Sequence, residues 1–249
     1  MTALSYTDGL ARPPLPRLTA VELRKMIDTR AGFWLLLLVG LSALASVVIV
    51  LAAGQSADHT MAGLFGTCIE AVSILVPVVG LLAVTSEWSQ RTALTTLTLV
   101  PERGRVVTAK LLAGCGLAVT SVLVCLTAAA AGNAVAGGDW SFGLSHVSNG
   151  ALYELIGMLG ALALGLLLMH SALAIVTYFV APTIIAVLVN IVPSLSGPAE
   201  WFDQSQTMAP LADDTMAAGD WARLGVSTAI WVGVPLVLGL LRLRRHELS

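Results

Sequence analysis

Charge is what this sequence has least of. Asp, Glu, Lys and Arg make up 11% of its 249 residues, against about 25% in a soluble domain. The deficit is concentrated: residues 31–57, 111–138, 155–199 and 224–241 hold none of the four. That excludes a solvated globular surface and leaves no stretch suited to nucleic acid. Cysteine is scarce too. Cys68, Cys115 and Cys125 all lie in apolar runs, which excludes a disulfide framework and reads as small buried side chains. Neither a CxxC nor an H-E-x-x-H spacing occurs, so no metal site is assigned. There is no G-x-x-x-x-G-K-[ST] loop, so the chain cannot hydrolyse ATP through one. There is no G-x-S-x-G elbow. Ser171 beside His170, or Glu70 with Glu154, is the nearest approach to an intramembrane enzyme. No catalytic residue and no bound cofactor is assigned.

What the sequence has is apolar length. Hydrophobic residues are 57% of the chain and mean hydropathy is +0.87. A helix of about 20 apolar residues crosses a bilayer. Six spans are expected, at about 31–53, 63–85, 108–133, 150–169, 171–193 and 222–241. The block 155–199 is long enough for two crossings and divides at its least apolar point, His170-Ser171. Pro182 is expected to kink the fifth span. The fold class is therefore all-α: a polytopic membrane protein with six transmembrane helices.

The few charges orient the bundle. With both termini in the cytoplasm, all but Arg223 of the 13 Lys and Arg residues fall inside. They are Arg12, Arg17, Arg24, Lys25, Arg30, Arg91, Arg103, Arg105, Lys110, Arg242, Arg244 and Arg245. The outer loops carry Asp58, Asp139, Glu200, Asp203, Asp213, Asp214 and Asp220. The six tryptophans mostly sit near span ends, where indole rings prefer the headgroup layer.

Residues 1–17 read as a flexible cytoplasmic lead, with a proline-interrupted "ARPPLPRL" that cannot be helical, and no apolar core of a signal peptide. Residues 18–249 form one permease-like domain, with an inner segment at 86–105 and an outer one at 194–221. In "TAVELRKMIDTRAGFW", Thr19 and Glu22 make a capping-box pattern. Val21, Leu23, Met26 and Ile27 offer an apolar side, so a short helix lying in the inner interface is expected. Arg24, Lys25 and Arg30 would meet anionic lipid headgroups.

The inner segment "SEWSQRTALTTLTLVPERGRVVTAK" (86–110) places Ser86 as a cap, with Glu87 and Trp88 opening a helix that runs to Val100. Ala93, Leu94, Leu97 and Val100 face one side; Gln90, Arg91, Thr95 and Thr98 alternate with them. Pro101 stops the helix, and Gly104 turns the chain back through Arg103 and Arg105. The residues alone allow a partner-docking helix or a charged turn that only orients the hairpin.

The set Glu87, Arg91-Thr92, Leu97, Pro101, Arg103 and Lys110 resembles the membrane permeases of type-2 ATP-binding-cassette exporters. "ELRKMIDTR" (22–30) is similar to the elbow helix of that family. "AIVTYFVAPTIIAVLVNIVP" (174–193) is similar to its fifth span, and "WARLGVSTAIWVGVPLVLGLLRLRRHE" (221–247) to the sixth span and basic tail of actinobacterial-type members. Arg91 stands where many members have glycine, and His170 where many have arginine. The resemblance implies an elbow helix carrying Glu22, Arg24, Lys25 and Arg30. It implies a cytoplasmic coupling helix involving Glu87, Trp88, Arg91, Thr92, Leu94, Leu97, Pro101 and Arg103. Its implied partners are two copies of a cytoplasmic ATPase, a second permease copy and membrane lipids, with ATP and Mg²⁺ bound by the ATPase, in a bacterial plasma membrane. A non-transporting anchor or immunity-type partner would share this topology.

Glu70 and Glu154 are the carboxylates expected within spans. An intramembrane charge is a functional candidate by default. Counted from the expected span starts, Glu70 is about two turns in and Glu154 about one, close enough to snorkel outward. Both are possible pathway residues. Ala109, Ala113, Gly114, Gly116, Gly157, Gly160 and Gly165 suit either close helix packing or a dimer seam.

Overall fold

The computed structural model describes residues 13–53, 59–89 and 103–245. Within them the chain is all-α, and six helical stretches are long and apolar enough to cross a membrane: Arg30–Ala53, Met61–Trp88, Gly104–Ala136, Leu144–Leu168, Ser171–Ile191 and Ala218–Leu243. Ahead of the first lies a short helix, α1 (Leu15–Asp28). It starts within the proline-rich lead, against expectation. Pro16 occupies its first turn, where the missing N–H costs no intrahelical bond. Thr19 is therefore inside the helix and not its cap; its hydroxyl donates to the Leu15 carbonyl at 3.1 Å.

The first span is α2 (Arg30–Ala53). The second is two helices, α3 (Met61–Ser73) and α4 (Val76–Ser89). The break has a covalent cause: Pro77 offers no N–H to the Ser73 carbonyl, and its ring crowds that same carbonyl. Tight bonds from Leu75 N–H to Val72 O (2.9 Å) and Val78 N–H to Leu75 O (3.1 Å) bridge the gap. Because α4 runs through Ser89, Ser86 is not a cap and Glu87 belongs to the end of the second span.

The third span is α5 (Arg103–Ala136), the fourth α6 (Leu144–Leu168) and the fifth α7 (Ser171–Ile191). The division expected at His170-Ser171 holds. Met169 turns left-handed at φ 54°, and the His170 ring accepts the Leu173 N–H as the cap of α7. The outer segment holds a 3-10 turn (Pro193–Leu195), α8 (Ser196–Phe202) and α9 (Gln204–Ala212). The sixth span comprises α10 (Ala218–Thr228), a π turn (Ala229–Gly233) and α11 (Val234–Arg245). The π turn ends two residues before Pro235, which cannot donate into a regular ladder.

Helix α6 is the centre of the bundle. It packs chiefly on α4, α11 and α5, and 61% of its most apolar window is buried, against 11% for the fifth span. Small residues allow this. A β-carbon on Gly114 would come within 2.6 Å of Leu162, and one on Gly239 within 3.0 Å of the Leu166 backbone. Several of the small residues flagged in the sequence thus serve packing within one chain: Ala109 and Ala113 are buried, and Gly165 faces Val84. Leu37, Leu41, Leu44 and Val48 on α2, and Val176, Val180, Ile184 and Val187 on α7, are exposed. Apolar faces of that extent fit a lipid surround and not water.

Candidate functional site

Two groups of buried ionisable side chains stand out. The first joins three elements at the end of the bundle where α1, α4 and the start of α5 meet. On α1, Glu22 and Met26 are one helical turn apart and both face the bundle, at 5% and 2% exposure. The inward side of α1 thus includes a carboxylate, while Val21 and Ile27, part of the apolar side expected for an interfacial helix, are exposed. Lys110 of α5, itself 4% exposed, donates to Glu22 Oε2 at 2.5 Å and to Glu87 Oε1 at 2.8 Å. Lys25 donates to Glu22 Oε1 and to the same Glu87 oxygen, each at 2.8 Å. Two carboxylates and two ammonium groups close a ring in which each lysine bridges both glutamates. Burial alone would lower the Lys25 pKa, but its hydrogen bonds to Glu22 and Glu87 and their negative charge outweigh it, so it is raised.

This ring unites residues that the sequence assigned to separate roles, Glu22 and Lys25 to the elbow and Glu87 to coupling. The other elbow cations, Arg24 and Arg30, are exposed and lie outside it. Trp88 ends the second span beside Glu87 and packs on the main core, and Arg103 opens α5. Arg91, Thr92, Leu94, Leu97 and Pro101 fall outside the described residues, and so does most of the expected coupling helix.

The second group is a single residue. Glu154 is 1% exposed, and neither carboxyl oxygen has a hydrogen-bond partner among the described residues. The sequence placed it about one turn into the fourth span, able to snorkel outward; it is instead ten residues into α6 and enclosed. The helix starts earlier than hydropathy suggests because its polar first turns are satisfied by one acid. Ser145 and Asn149 donate to Asp214 at 2.9 and 2.6 Å, and His146 lies 3.3 Å from it.

Glu154 lines a cleft of about 380 Å³ between α6, the α3–α4 break, α7 and α9. Ile74, Ser205 and Ala209 are exposed at its rim, while Pro77, Gly157 and Met208 are buried. Tyr178 reaches across from α7 and donates its hydroxyl to the Gly157 carbonyl at 3.3 Å. Gly157 permits that approach, since a β-carbon there would lie 3.3 Å from the hydroxyl oxygen. Glu70 is not part of this cleft. It is exposed on α3 and lines a separate groove of about 30 Å³ with Phe65, His146 and Asp214. The sequence missed the cleft, although Pro77, in the middle of an apolar run, was a readable signal of a broken span.

Among the described residues, no group of three or more His, Cys, Asp or Glu side chains is placed to hold a metal. No protein-family model matches the chain, and no curated protein matches it. What stands is a polytopic helical bundle of a kind consistent with membrane transport.

Proposed function

We propose that this chain is the membrane subunit of an ATP-driven exporter in a bacterial plasma membrane, with both termini in the cytoplasm. Two copies form the substrate pathway, and a separate P-loop ATPase, present twice, binds ATP and Mg²⁺ and supplies the energy. The order of motifs along the sequence supports this reading. The observation that carries it is the ring of Glu22, Lys25, Glu87 and Lys110. It ties α1 to the two spans that flank segment 90–102, the segment to which the coupling role is assigned.

The mechanism follows from stiffness. A push from the ATPase on segment 90–102 reaches α4 and α5 together, because the ring prevents one from moving without the other or without α1. Spans two and three then move as a unit against the rest of the bundle, which is how one ATP-driven displacement selects between inward and outward access. This chain supplies the two-state bundle and no hydrolytic chemistry.

The test is purification of the tagged full chain from its native membranes. A P-loop ATPase is expected to accompany the wild type and to be lost from the Leu94→Asp/Leu97→Asp double variant, which still reaches the membrane. Absence of any ATPase from the wild type would overturn the reading. Its recovery with the double variant at wild-type yield would overturn the coupling assignment. An ATPase that docks but drives no extrusion from cells would leave a non-transporting anchor instead.

A further inference from the structure

We propose that the cleft beside Glu154 binds a lipophilic monovalent cation, with the carboxylate holding its charge and the apolar walls its body. Four observations on the cleft lead there. Glu154 is a buried acid with no partner among the described residues, and such a group needs a reason to persist, since its isolation works against stability. Among the described residues no lysine or arginine lines the cleft, so no described cation of the walls occupies the carboxyl before a guest does. Tyr153, Tyr178, Phe179 and Met208 do line it, and aromatic faces and thioethers accommodate organic cations with apolar substituents. Its volume, about 380 Å³, lies in the small-molecule range of about 300–1,000 Å³ and far exceeds what a bare ion fills.

Two further features favour a guest at this site. Pro77 has no N–H for the Ser73 carbonyl, and Ser73 and Pro77 both line the cleft, so the break in the span lies at the cleft wall. Broken spans next to a polar side chain are where bilayer-depth backbone irregularity is tolerated, because it faces a cavity and not lipid. The approach is also acidic. Glu200, Asp213, Asp214 and Asp220 stand at this end of the bundle, and its Arg223 is already paired with Glu200 at 2.7 Å and Asp220 at 3.5 Å. That field draws cations toward the cleft and repels anions.

The proposal deepens the export reading by naming a cargo class, and rests on it only for what becomes of the bound cation. Binding needs no ATPase, so the two are tested separately. The purified full chain in lipid nanodiscs is titrated with radiolabelled tetraphenylphosphonium, and with tetraphenylborate as an anion of the same shape. Saturable binding of the cation alone is expected. Glu154→Gln, which keeps the side-chain shape, is expected to weaken it by roughly 30-fold or more. Ala209→Trp, at an exposed rim position, is expected to weaken it by filling the mouth. The proposal is overturned by no saturable cation binding in the wild type, by equal binding of the anion, or by wild-type affinity in either folded variant. Cation binding by a chain that never recruits an ATPase would leave this site standing and remove the export reading.

Discussion

Glu22 and Glu154 are buried to nearly the same degree, at 5% and 1% exposure, yet they are opposite kinds of acid. Glu22 gives each of its oxygens to a different lysine. Glu154 gives neither oxygen to any described group. The difference shows that depth does not decide what a carboxylate does in this bundle; the partner does. The paired acid fastens α1 to α5, joining residues 88 positions apart in sequence, and its two lysines carry the link on to Glu87 of α4. The lone acid fastens nothing, so its contribution to the fold is a cost, and its value has to lie in something that arrives from outside.

The sharpest way to break the comparison is to put one methionine into each group. Lys110→Met removes the most buried cation of the ring and leaves two carboxylates, Glu22 and Glu87, with only the half-exposed Lys25 between them. Breaking a buried ion pair from one side costs about 3–5 kcal/mol. The variant is expected to lose that much against unfolding by dodecyl sulfate in mixed micelles, or to fail to accumulate. A loss below about 1 kcal/mol would place the ring among exposed, weakly coupled pairs and remove its role as a clasp.

Glu154→Met should move stability the other way. Methionine has a similar reach, fits the Pro77, Gly157 and Met208 surroundings, and leaves no unpartnered polar atom. Relief of an unpaired buried polar group is worth about 1–3 kcal/mol, and the same micelle titration should show that gain. A loss of similar size would mean that the Glu154 carboxylate is held by a partner within the protein, and the contrast with Glu22 would disappear.

The pattern of what the sequence made legible follows from the range of the forces involved. The spans are written in runs of apolar residues, and a polar pair, His170-Ser171, is enough to divide two of them because helix capping is local. The depth of Glu154 was not legible. Ser145, His146, Ser148 and Asn149 look like loop until Asp214, from a distant segment, is seen to receive three of them. The ring was half legible. Glu22, Lys25, Glu87 and Lys110 each drew notice as members of local motifs, but no periodicity links α1 to the start of α5, so their mutual bonds are a property of the packed bundle alone. The docking role proposed for Arg91 to Pro101 rests on sequence resemblance, and the double variant tests it.

The smallest effect expected is at Lys25, and it separates the two lysines of the ring. The Lys25 side chain is 37% exposed, against 5% for Lys110, so solvent screens its pairs and Lys25→Met should cost no more than about 1 kcal/mol. The sign of its pH dependence is fixed by the raised pKa. A cation whose folded pKa lies above the model-compound value of 10.5 contributes its full stabilisation below that pH and loses it as pH rises through the folded value. The stability difference between wild type and Lys25→Met should therefore hold steady at neutral pH and shrink on titration into the alkaline range. A difference that stays constant through that range would assign the effect to packing of the lysine stem against the bundle, and the ring would then depend on Lys110 as its one energetic link.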